Sequence, residues 1–80
     1  MPEVEVYTAP GCQFCAAVKR FLEEHDIEYT EYDVAEDPYK AEEMIERSGQ
    51  MGVPVVDIEG EIVIGFDRPR LEELLGLNGY

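Results

Sequence analysis

The chain has 80 residues, 19 of them acidic and six basic, for a formal charge of −13. So short a chain makes one domain with little spare core, and its charge argues against nucleic acid and anionic membranes as partners, since both select basic surfaces. No run approaches the ~20 apolar residues of a membrane span, and the start, Met1-Pro2-Glu3-Val4-Glu5-Val6, lacks the basic and apolar parts of a secretion signal. A cytoplasmic monomer is expected, with residues 1–80 as one domain and 77–80 as a loose tail. The acids either form a solvated surface or meet a basic partner.

Val4, Val6 and Thr8 alternate with Glu3, Glu5 and Tyr7, the period of a strand, and Ala9-Pro10-Gly11 breaks it. A helix follows, with Val18, Phe21 and Leu22 at three- and four-residue spacing after Cys15, opposite Lys19, Arg20, Glu23 and Glu24. Ile27 to Val34 reads as a second strand. Asp37-Pro38 pairs an N-cap with a first-turn proline, Ala41, Met44, Ile45 and Ser48 continue at helical spacing, and Gly49 stops the helix. Val55 to Ile58 and Glu61 to Ile64 flank Glu59-Gly60, a two-residue hairpin turn. Arg68 to Leu75 closes the chain as a helix capped by Asp67, with Leu71, Leu74 and Leu75 inward. The order βαβ, α, ββ, α predicts an α/β fold with one mixed four-stranded sheet covered by helices.

Cys12 and Cys15 are the chain's two cysteines, and Gln13-Phe14 separates them. A disulfide closing so small a ring contributes roughly 2 kcal/mol against about 3 for a 15-residue loop, so the pair suits electron transfer better than stapling. Structural disulfides are also rare in the cytoplasm. Cys12 is expected in the first helical turn, where free N–H groups and the helix dipole favour a thiolate, and no acid occurs from Tyr7 to Leu22. Cys12 would attack a disulfide, and Cys15, more buried, would resolve the mixed disulfide. Phe14 covers the site, contacts a partner or simply packs. Val53-Pro54 before a strand marks either a simple turn or a specific backbone demand such as a cis bond. The two thiols are also half of a zinc site, but His25, carboxylates or a second chain would have to supply the rest, so no metal is expected in the single chain. His25 reads as a solvated residue at a helix end.

Tyr7-Thr8 before C-x-x-C, Ser48-Gly49 before Gly52-Val53-Pro54, the Glu59-Gly60 hairpin and Ile64-Gly65-Phe66-Asp67 together resemble the glutaredoxins and glutaredoxin-like redoxins, over residues 3 to about 76. The resemblance implies a thioredoxin fold, a cis Pro54 beside the cysteines, a Val53 backbone that pairs with the incoming peptide or thiol, and Gln13, Phe14 and Asp67 as further substrate contacts. Glutathione-using members usually carry a Lys three residues before the first cysteine and a polar or basic residue on the second helix. Here Ala9 and Ala41 stand there, so the cations for the glycine carboxylate of glutathione are missing, while Asp67 remains for its γ-glutamyl amine. The chain is more similar to redoxins of the ribonucleotide-reductase type, although Asp67 interrupts the Gly65-Phe66 and Arg68-Pro69 pattern. This implies protein disulfides as clients, ribonucleotide reductase among them, a thioredoxin-reductase-like or ferredoxin-linked enzyme as reductant, and a redox-active Cys12–Cys15 disulfide with no bound cofactor. Two alternatives stay open: a glutathione-dependent glutaredoxin, and a dimer sharing an iron–sulfur cluster or metal through Cys12.

Overall fold

The computed structural model describes residues 3–77; of the loose tail expected over residues 77–80, Leu77 is instead packed on the core and residues 78–80 lie outside the described residues. Its elements run β1 (Val4–Thr8), α1 (Gln13–Glu24), β2 (Thr30–Asp33), α2 (Pro38–Ser48), β3 (Val55–Ile58), β4 (Glu61–Ile64) and α3 (Arg68–Leu75). The sheet order is β2-β1-β3-β4, with β1 parallel to β2 and antiparallel to β3, and with β3 antiparallel to β4.

The two faces of β1 sort the core into two layers. Val4 and Val6, with Val56, Ile58 and Val63 on the same face, bury against Val18, Phe21 and Leu22 of α1 and Leu71 of α3. Tyr7 and Val55 on the opposite face bury against Met44 of α2. The register explains the sorting: Val4 faces Ile58, Val6 faces Val56 and Tyr7 faces Val55, so alternate residues along paired strands share a face. Met44 meets the expected core face of α2, but Ile45, expected beside it, is 38% exposed. Ile45 lies one step of ~100° around the helix from the buried Met44 and so turns away from the core. Leu74 and Leu75 are half-buried, and so is Leu77, which packs on the core and whose N–H donates to the Glu72 carbonyl at 2.8 Å.

Local chemistry sets the ends of the elements. Asp37 caps α2 by accepting N–H donors from Tyr39 at 3.1 Å and Lys40 at 3.2 Å, and Pro38 occupies the first turn. Gly49 closes α2 with φ +70°. In the hairpin both Glu59 (φ +51°) and Gly60 (φ +93°) are left-handed, the pattern whose twist matches a two-residue connection. The second strand is shorter than the expected Ile27 to Val34, because its first residues belong to the stop of α1. Asp26 takes φ +55° and the Ile27 N–H bonds the Leu22 carbonyl at 2.9 Å. Ile27 and Tyr29 pack on the core from this connection without pairing as strand.

Candidate redox site

Thr8 ends β1, and the turn through Ala9, Pro10 and Gly11 delivers the chain to Cys12. Gly11 has φ +75°, a backbone that suits glycine. Cys12 is the N-cap of α1; the first-turn position expected for it falls to Gln13. The cap position is chemically significant, because the Cys12 Sγ accepts the Cys15 N–H at 3.1 Å. A sulfur at the opening of a helix faces unpaired donors and the positive end of the dipole, both of which favour negative charge.

The two cysteines occupy different environments. Cys12 is half-buried, whereas Cys15 is 2% exposed, and both are free thiols. Burial, followed by the hydrogen bond to Cys12, pushes the Cys15 thiol up to about 11. Gln13 and Phe14 between them are exposed, Phe14 by 64%.

A second loop completes the site. The Val53–Pro54 bond is cis, Pro54 is buried at the start of β3, and the Val53 carbonyl oxygen lies 3.9 Å from Cys12 Sγ. Met51, two residues earlier, is 83% exposed. Asp67 is exposed and caps α3, its Oδ1 accepting the Arg70 N–H at 3.3 Å. Val53 and Pro54 are thus brought to the cysteines by the fold, Gln13 and Phe14 by adjacency. No hydrogen bond links Asp67 to either thiol among the described residues. Among the described residues no three Cys, His, Asp or Glu side chains gather to hold a metal ion, and no helix is long and apolar enough to cross a membrane. His25 caps the end of α1, with Nδ1 2.9 Å from the Phe21 carbonyl and its ring against Phe21 at 4.5 Å.

Two polar clusters on the faces of the sheet were not anticipated. On the α1 face, Glu31 Oε2 accepts from Thr8 Oγ1 at 2.7 Å and from Lys19 Nζ at 3.0 Å, and these bonds hold its carboxyl below the usual carboxylate range. On the α2 face, the buried Tyr7 donates to Glu43 at 2.6 Å and stacks on Tyr32, which donates to Glu5 at 2.7 Å. Arg47 Nη1 bonds Glu5 at 2.9 Å and the buried Asp57 at 2.7 Å. Desolvation and the bond to Glu43 raise the Tyr7 hydroxyl well above its usual range, while Glu43 and Glu5 are held low by the hydroxyls of Tyr7 and Tyr32 and by cations. An apolar strand that alternates with Glu5 and Tyr7 signals a polar second face, but the partners on α2 and β2 are not readable from spacing.

The glutaredoxin family pattern matches residues 4–63. The chain belongs to the glutaredoxin family. It is 35% identical over 72 residues to a glutaredoxin-like 8.6 kDa protein in the rubredoxin operon of Clostridium pasteurianum, covering 90% of this chain and 96% of that one. It is 34% identical over 67 residues to glutaredoxin 3 of Escherichia coli K12, covering 84% and 81% respectively. Among solved structures it is similar to the glutaredoxin-like NrdH-redoxin of Escherichia coli, described as having a thioredoxin-like activity profile, with TM-score 0.77 and 27% identity over 98% of this chain and 97% of that one. The fold expected from the sequence, a thioredoxin fold with a mixed four-stranded sheet, is the one observed. The family is one of thiol–disulfide oxidoreductases, and the Cys12–Cys15 pair is in place for that chemistry.

Proposed function

We propose that this chain reduces protein disulfides through Cys12 and Cys15 and regains its electrons from a thioredoxin-reductase-like or ferredoxin-linked enzyme rather than from glutathione. The observation that carries the reading is the division of labour between the thiols: Cys12 reachable and receiving an N–H at its sulfur, Cys15 buried directly behind it. Cys12 thiolate attacks one sulfur of the client disulfide, and the other client sulfur leaves as a thiol. Cys15 then attacks Cys12 Sγ, releases the second client thiol and leaves the Cys12–Cys15 disulfide; two electrons have passed to the client. Val53, Pro54 and Gln13 border the reacting sulfur, and the exposed Phe14 and Met51 offer apolar surface where a client would lie.

The preference against glutathione rests on charge. Ala9 and Ala41 carry none, and the nearby cation Lys40 is engaged with Glu43 at 3.2 Å and with the face of the Tyr32 ring at 4.1 Å. A carboxylate without a cation is poorly held. The resemblance to redoxins of the ribonucleotide-reductase type makes ribonucleotide reductase the proposed client, in a reducing cytoplasm. Cys15→Ser, incubated with an extract from the source cells or with a model protein disulfide, should accumulate a mixed disulfide on Cys12 that reductant releases. Absence of any such adduct, with Cys12 free and titratable, would overturn the proposal.

A further inference from the structure

Resolution of a mixed disulfide requires charge on the more buried sulfur. Cys15 has lost its water, and desolvation followed by Cys12 pushes its thiol up to about 11, so its thiolate is scarce at neutral pH and any nearby cation bears on the step. Lys19 stands one helical turn beyond Cys15 on the same face of α1, and both side chains line the shallow groove that runs past Cys12, Gln13 and Ala16. Its ammonium is held 3.0 Å from Glu31 Oε2, the oxygen that also takes the Thr8 hydroxyl at 2.7 Å. About a third of each side chain is open to water, 32% for Lys19 and 38% for Glu31, which makes this a weak, exchangeable pair.

The titratable and charged groups around the Cys15 thiol are few. From α1 come Cys12 and Lys19, with Glu23 one turn beyond Lys19; β2 contributes Glu31; β1 and its turn contribute the uncharged Thr8 hydroxyl and the Ala9 backbone. No acid occurs between Tyr7 and Leu22 to compete for the ammonium inside the groove. The Ala9 backbone hydrogen bond and, to a smaller extent, Lys19 pull the Cys15 thiol down, and Cys15 in turn raises Lys19, on which the hydrogen bond to Glu31 is the larger influence.

We propose that Lys19 is a positioning residue for the second half of the exchange, its ammonium held by Glu31 while Cys15 is neutral and shared with the Cys15 sulfur as that thiol ionises. Glu31, fixed by Thr8, sets how much of the Lys19 charge reaches Cys15. This rests on the dithiol reading above. In the step concerned Cys15 loses its proton to solvent, its sulfur bonds to Cys12 Sγ, the bond from Cys12 to the client sulfur breaks, and the client leaves as a thiolate that takes up a proton.

Fully reduced protein mixed rapidly with a stoichiometric amount of dithionitrobenzoate reads both halves separately, because Cys12 attack and Cys15 resolution each release one coloured thiolate. Thiolate fraction falls tenfold for each unit by which a thiol is raised, but nucleophilicity recovers part of it with a Brønsted slope of ~0.4–0.5, leaving about a threefold to fourfold loss per unit. Lys19→Met should therefore slow the second release at neutral pH by about that factor per unit of displacement and move its pH profile upward. Glu31→Gln should speed it and move the profile downward, and Lys19→Arg should stay near wild type. If Lys19→Met does not fold, the opposite shift in Glu31→Gln carries the test. A second-release profile unmoved in Lys19→Met and Glu31→Gln, or both releases slowed in equal proportion, overturns the role given to Lys19. A wild type that releases only one thiolate and reduces no protein disulfide overturns the dithiol reading itself, and the Lys19 role with it.

Discussion

Reduced protein taken from pH ~8 to ~11 is expected to lose about 2–3 kcal/mol of stability through Cys15. In the folded state the buried thiol titrates at about 11, whereas in the unfolded chain a cysteine titrates near ~8.5. Between those values the folded state binds more protons than the unfolded state, so stability is fully present below the unfolded value and falls as pH rises toward the folded one. The separation of about 2.5 units, at 1.36 kcal/mol each, corresponds to about 3.4 kcal/mol at full titration, and about 2–3 of it is reached by pH ~11, where the folded thiol is half ionised. Urea unfolding of wild type and Cys15→Ala, both under reductant, measures it. The buried hydroxyl of Tyr7 and that of Tyr29, which desolvation raises to about 12, titrate in the same direction. Only the difference between the two proteins is therefore assigned to Cys15. A Cys15→Ala protein that loses as much stability as wild type over this range would refute the reasoning.

Three further outcomes follow from packing and charge. Leu22, fully buried between α1 and the sheet, should cost ~2–5 kcal/mol in urea unfolding when replaced by alanine, and a loss below ~1 would mean the layer is loosely packed. Arg47→Met should cost ~1–2 kcal/mol by leaving the buried Asp57 carboxylate with the Gly60 N–H alone, and adding Asp57→Asn should recover part of it in a double-mutant cycle; strict additivity would show that the 2.7 Å pair is uncoupled. Gly49→Ala meets no neighbour within 4 Å, so its cost of about 1–2 kcal/mol should come from the left-handed backbone at φ +70° alone, and an unchanged melting temperature would contradict that.

Residue spacing made much of this fold legible. The alternation in Val4–Thr8, the cap at Asp37-Pro38 and the Glu59-Gly60 turn each require one local geometry, and the elements appear there. Shortfalls arose where tertiary contacts decide. Ile27 and Tyr29 look like strand residues because they are apolar and β-favouring, yet the stop of α1 at Asp26 holds them outside the ladder. Ile45 has helical spacing from the core but lies one step around α2 from the buried Met44 and is 38% exposed. At the site, the cysteines stand out by chemistry alone, and the position of Pro54 beside them follows only from family resemblance. The Lys19–Glu31–Thr8 cluster joins three elements, so no local pattern announces it; the absence of acids between Tyr7 and Leu22 was its one trace in the sequence. Asp67 is a helix cap as expected.

The central claim is that Cys12 and Cys15 pass electrons to protein disulfides without glutathione. Insulin disulfide reduction, followed with NADPH and thioredoxin reductase on one side and with NADPH, glutathione and glutathione reductase on the other, addresses it most directly. Turnover with thioredoxin reductase, abolished in Cys12→Ser and little supported by glutathione, is the predicted result. Saturable turnover with glutathione alone, or activity that survives Cys12→Ser, would contradict the account.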